Sequence, residues 1–247
     1  MAGHSKWANI KHRKGAQDAK RGKIFTKLIK EITVATKEGG AESDTNPRLR
    51  LAIQNAKGAN MPKDTIERAI KKGSGADAGD YTEVTYEGYG IKGVGVFVEC
   101  TTDNINRTVS SVRSIFTKHG GNLGTNGSLE FIFDRRGVFI LPKPEGMDAD
   151  DLTLELIDGG AEEVEEQEGL MHITCAMEDF GNLQQKLETL NLEPESAELQ
   201  RIPNTLVGLD DEDFSKIMKM VDVLEDDDDV QKVYHNIDIK EEQFALI

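Results

Sequence analysis

The sequence predicts an α+β multidomain protein: an N-terminal helical bundle, an α+β domain, and a ferredoxin-like βαββαβ domain inserted into it. Three observations predict this. The hydrophobic period is 3.6 up to Gly73 and changes to 2 after the Ser74–Gly79 linker. Residues 137–202 read strand, helix, strand, strand, helix, strand, the split βαβ order. A chain of 247 residues with 37% hydrophobic and 30% charged side chains suits several small cores better than one large one.

The elements follow in order. Residues 1–22 hold few large apolar side chains besides Trp7 and Ile10 and read as an arm. Over 23–38, Phe25, Leu28, Ile29, Ile32 and Ala35 make one helical stripe, and Gly39-Gly40 ends it. Asn46-Pro47 reads as an N-cap and first-turn proline opening a second helix with Leu49, Ala52, Ile53 and Ala56 inward. Pro62 opens a third helix, with Asp64 in its first turn and Gly73 at its end. These three close the first domain, residues 1–78. Strands follow at 81–88 and 94–101, then a helix at 104–118 and a strand at 129–133, with Asp134-Arg135-Arg136-Gly137 as a break. Residues 136–202 form the inserted domain, with helices at 149–158 and 180–190 and a hairpin around Glu168-Gly169. The tail, with a helix that places Phe214, Ile217, Met218, Val221 and Leu224 inward, has too little core to stand alone. It is expected to complete the earlier sheet, making one domain of 79–135 plus 203–247.

The formal net charge of −15 conceals a split. Residues 1–75 carry 17 basic and 7 acidic side chains; residues 76–247 carry 13 basic and 38 acidic. Such asymmetry within one chain is a functional cue. Two cysteines, Cys100 and Cys175, make no disulfide framework, which points to a reducing compartment. No run suits a membrane span and no apolar core of a secretory signal opens the chain, so a soluble cytoplasmic protein is expected.

Several motifs read as structural. Gly88-Tyr89-Gly90-Ile91-Lys92-Gly93 spells GxGxxG but precedes a strand, where the dinucleotide fingerprint requires a helix. Gly120–Gly127 lacks the Lys-Ser/Thr of a P-loop, although its backbone suits a phosphate contact. Asp226–Asp229 lacks the alternation of a calcium loop, and it follows a helix C-terminus, where negative charge is unfavourable. The five histidines show no metal-ligand spacing. No nucleophile signature is present, so no enzyme activity, cofactor or small-molecule substrate is expected.

The sharp signal is the head of the chain. Residues 1–30 hold Lys6, Lys11, Arg13, Lys14, Lys20, Arg21, Lys23, Lys27 and Lys30 against Asp18 alone, with Trp7 and His12 interleaved. Cations at this density release counterions from a phosphate backbone, and an indole face stacks on an unpaired base. Two other readings stay open: a solvated lysine face whose stems cover the bundle, and a positive arm that docks on acidic protein, this chain's own domains included.

The blocks Met1–Lys14, Asp18–Lys27, Asn46–Arg50, Asn60–Asp64, Tyr86–Gly90, Asp103-Asn104 with Asn106-Arg107-Thr108, and Gly120–Gly124 closely resemble the YebC family, over essentially the whole chain. That family includes bacterial proteins labelled probable transcriptional regulators and the mitochondrial translational activator of cytochrome c oxidase. The resemblance implies the same three domains, DNA binding in the regulators, and RNA or ribosome association in the translation branch. The expected partner is therefore nucleic acid, DNA or ribosomal RNA, within the transcription machinery or the ribosome. An acidic protein–protein adaptor is the competing class.

Overall fold

The computed structural model describes residues 21–75, 79–144, 146–167 and 169–246. They fall into two compact units. One takes in the described residues up to Lys27, Gly79–Asp134 and the residues from Ile202 onward; the other takes in those of Leu28–Ala78 with Arg135–Arg201.

In the first unit, β1 (Thr82–Tyr89) and β2 (Gly95–Thr102) form an antiparallel hairpin, Thr82 opposite Thr102 and Tyr89 opposite Gly95. A short β3 (Asn122–Leu123) extends the sheet beyond β1, and β9 (Val230–His235) pairs along β2, giving the order β3-β1-β2-β9. The two-residue strands β8 (Val207–Gly208) and β10 (Ile237–Asp238) form a separate parallel pair. Two helices, α4 (Ile105–Lys118) and α7 (Asp211–Glu225), supply Val112, Phe116, Phe214, Ile217, Val221 and Leu224 to one core with Val96, Val98 and Cys100 of β2. The opposite face of β2 turns Phe97 into a smaller cluster with Leu129, Phe133 and Tyr234. Buried on both faces, β2 is the continuous apolar run seen in the sequence.

Residues 129–132 are not strand: they lie in a run of turns. Backbone bonds from Ser128 to Thr125, Glu130 to Gly127 and Ile132 to Leu129 wind the segment tightly. Leu129 and Phe133 both plug the Phe97–Tyr234 cluster while Phe131 between them is exposed, a split that one face of an extended strand does not allow. Nor do Asp134–Gly137 interrupt the chain. They lie within β4 (Phe133–Pro142), where Gly137 pairs with Cys175 and leaves no room for a Cβ, which would meet Cys175 Sγ at 2.5 Å.

The second unit contains α2 (Pro47–Gly58), α3 (Lys63–Ser74) and most of α1 (Arg21–Gly39). Asn46 caps α2 by accepting from Leu49 N, and its amide donates to the carbonyls of Ala35 and Gly40, which ties the end of α1 to the start of α2. The strands β4, β5 (Ala161–Gln167), β6 (Leu170–Ala176) and β7 (Ser196–Pro203) lie in the order β5-β6-β4-β7, with α5 (Ala149–Asp158) and α6 (Phe180–Thr189) between them in sequence. Phe139, Leu156, Ile173, Leu183 and Leu187 fill the core, and Leu51 of α2 packs against it. The Asn55 amide grips β7 at both ends, donating to Ala197 O and accepting from Ala197 N at 3.0 Å. At Gly58 a Cβ would lie 1.9 Å from Glu195 O, so only glycine permits this approach. Burial pushes the Cys175 thiol up to about 11, so it stays protonated at neutral pH.

Candidate nucleic-acid interface

Lys6, Trp7, Lys11, His12, Arg13, Lys14 and Lys20 lie outside the described residues. Arg21 is the first residue of α1, and Lys23, Lys27 and Lys30 follow along that helix, each partly buried. Lys23 pairs with a carboxylate of the acidic run. Its Nζ lies 2.8 Å from Asp226 Oδ1 and donates to Asp226 O at 3.1 Å. A lysine therefore sits on the C-terminal cap of α7, where helix dipole and carboxylate both favour positive charge.

This contact helps explain the acidic run, for which the sequence offered no reason. Asp227 accepts from Ser111 Oγ at 2.5 Å and from the backbone N–H of Asp229 at 3.0 Å. Asp229 is buried and accepts from Arg107 Nε and Nη2 and from Thr108 Oγ1. Bonds to Asp229, then to Asp103, push the Arg107 guanidinium further above its ordinary range. The run is thus a fastening between α4, the end of α7 and the start of β9. Among the described residues, no group of three or more His, Cys, Asp and Glu is arranged to hold a metal ion.

The glycine-rich loops are accounted for by the fold. Gly88–Gly93 turns β1 into β2 through Lys92 and Gly93, both at positive φ. The loop after Gly120 presents its amides to a carboxylate of the protein itself, in the place of a phosphate. Glu87, only 6% exposed, accepts from Gly127 N and Leu129 N at 2.7 Å each, and its own carbonyl accepts from Gly124 N. Tyr89 Oη donates to Ser128 O at 3.0 Å, a further tie to the same loop.

Two features escaped the sequence reading. Lys71 and Lys72 are exposed cations of the second unit, both in the last turn of α3. Phe131 was assigned to a strand, yet its side chain is 85% exposed. The turn-forming Thr125-Asn126-Gly127-Ser128 just before it was the signal available.

Among the described residues no helix is long and apolar enough to cross a membrane. Residues 5–76 match a family model described as the TACO1/YebC protein N-terminal domain, and residues 81–237 match one described as the TACO1/YebC second and third domain. A "probable transcriptional regulatory protein" of Amoebophilus asiaticus is 60% identical over 96% of this chain and 98% of its own length. One of the same description from Syntrophotalea carbinolica is 54% identical over 100% and 99%. The crystal structure of a conserved hypothetical protein from Aquifex aeolicus superposes with a TM-score of 0.79 at 45% identity, covering 91% of this chain and 93% of that one.

Proposed function

The chain belongs to the TACO1/YebC family, and from that premise we propose a non-enzymatic, nucleic-acid-binding regulator of gene expression acting in the cytoplasm. The observation that carries the reading is the cluster of nine cations in residues 1–30, at the head of a chain whose remainder is strongly acidic. In this reading Lys6, Lys11, Arg13, Lys14, Lys20, Arg21 and Lys23 neutralise phosphates, Trp7 stacks on or wedges between bases, and Lys27 and Lys30 extend the track. The acidic remainder repels phosphate and confines backbone contacts to the basic head. We take residues 1–78, 79–135 with 203–247, and 136–202 as the three domains, the last ferredoxin-like and inserted. The sheet order β5-β6-β4-β7 supports that assignment, and the family models, one for an N-terminal domain and one for a second and third, support three domains.

The names of the relatives favour DNA and transcription. A second reading, ribosomal RNA, is favoured by the cluster's own chemistry. Its cations are seven lysines and two arginines. Lysine contacts phosphate as a point charge, whereas bidentate reading of guanine is mainly arginine's work. Such a cluster reads backbone and shape, as structured RNA requires. Crosslinking in cells with sequencing of both DNA and RNA tests the proposal. Promoter crosslinks support the transcriptional reading and ribosomal RNA crosslinks the translational one; absence of both overturns nucleic-acid binding.

The Lys23–Asp226 pair is half exposed, and such pairs are worth at most about 1 kcal/mol, so phosphate competes for the lysine. Asp226→Asn is expected to steepen the log–log salt slope of binding by about 1 and to raise affinity severalfold at low salt. Identical titrations for the two proteins would show that Lys23 does not reach phosphate.

A further inference from the structure

We propose that Phe131 is a stacking platform for an unpaired nucleobase, a second contact point in the acidic part of the chain. The inference rests on the nucleic-acid reading above and adds a residue that charge alone does not reveal.

Phe131 is 85% exposed, although its neighbours Leu129 and Phe133 are buried in the Phe97–Tyr234 cluster. A floppy loop would fold such a ring onto the surface; this loop is not free to do so. Its base is nailed down on both sides of the tip by those two side chains. Its N-terminal half is held by the Glu87 carboxylate through Gly127 N and Leu129 N, and by Gly124 N on Glu87 O. Tyr89 donates to Ser128 O, so a second ring, 38% exposed, borders the same loop. Single apolar side chains on a surface are ordinary. An aromatic ring held out by a buried carboxylate is preorganised, and preorganised aromatics are what binding surfaces use as anchors.

The surroundings point to a base as the ligand. The exposed Thr125 and Asn126 offer neutral donors and acceptors of the kind that meet base edges, and the exposed Glu130, next to Phe131 in sequence, disfavours phosphate. The contact that suits this mixture is a base face on the ring, with the sugar-phosphate chain led away from the loop. Stacking of this kind is tolerant of sequence.

The test uses the full chain and a hairpin oligonucleotide carrying 2-aminopurine in an unpaired loop, made once as RNA and once as DNA, with a fully paired duplex beside each. The expected result is a change in 2-aminopurine emission on binding that is lost in Phe131→Ala, with about tenfold weaker affinity for the hairpin and little change for the duplex. Phe131→Tyr should retain the signal. Whichever hairpin, RNA or DNA, shows the larger loss identifies the source of the base. An unchanged signal and affinity in Phe131→Ala, or an equal loss on hairpin and duplex, overturns the stacking site while nucleic-acid binding stands. Failure of the unaltered chain to bind any of the four probes at low salt overturns that broader reading and this site with it. Because the ring is exposed, a thermal melt matching that of the unaltered chain confirms that the variant is folded.

Discussion

Deleting residues 1–22 is expected to make the log–log salt slope of nucleic-acid binding shallower by about 5. The deletion removes Lys6, Lys11, Arg13, Lys14, Lys20 and Arg21. Each phosphate neutralised on a duplex contributes about −0.9 to the slope, so six contribute about −5. Those six contacts make a fourfold rise in salt weaken binding about a thousandfold more in the intact chain than in the truncated one. Substituting the six cations with glutamine should reproduce the effect and leave the chain length unchanged. An adaptor whose acidic surface meets a basic protein predicts a different pattern, in which neither change alters nucleic-acid binding. A slope near zero for the intact chain would sink direct binding altogether.

Glu87→Ala is expected to destabilise the first unit by about 3 kcal/mol. The carboxylate is buried and holds two backbone N–H groups at 2.7 Å. A hydrogen bond to a charged acceptor is worth about 1.5–3 kcal/mol, and both donors are left without their partner when it goes. The melting temperature of the unit should fall by about 13 °C. Amide exchange at Gly127 and Leu129 should accelerate ahead of exchange in β1 and β2. Glu87→Gln keeps one acceptor oxygen and turns an NH2 toward the other donor, so it should cost less than alanine but more than a surface substitution. Equal exchange at both amides in the variant and the parent would mean that the loop is held by its apolar plugs alone.

Much of the secondary structure was legible because local rules and tertiary packing agree. Asn46-Pro47 is an N-cap and first-turn proline in fact, since Asn46 accepts from Leu49 N. The period-2 run over Ala161–Gln167 and Leu170–Ala176 is a hairpin, turned by Gly169 at positive φ. What was misread lies around residues 129–137, where two long-range facts decide the outcome. Glu87, some forty residues away, sets the path of the loop, and the pairing of Arg136 and Gly137 with β6 carries strand through a polar stretch that local composition marks as a break. The acidic run was opaque for the same reason: Arg107, Ser111 and Lys23, which explain it, are distant in sequence. At the candidate interface the cations were conspicuous in composition. Phe131 was hidden, because alternation assigns it to the same face as Leu129 and Phe133 and only the turn geometry separates them.

The pairing of β2 with β9 also bears on how the chain is made. Val96 waits for His235 before its strand gains that neighbour, an interval of about 140 residues. At ribosomal rates of roughly 5–20 residues per second, this edge of a very apolar strand stands open for about 7–28 seconds. All four strands of the β5-β6-β4-β7 sheet are synthesised within that interval. The nascent chain therefore depends on Val230–His235 to close the older sheet, and a ribosome stalled before that strand leaves an adhesive β-edge exposed.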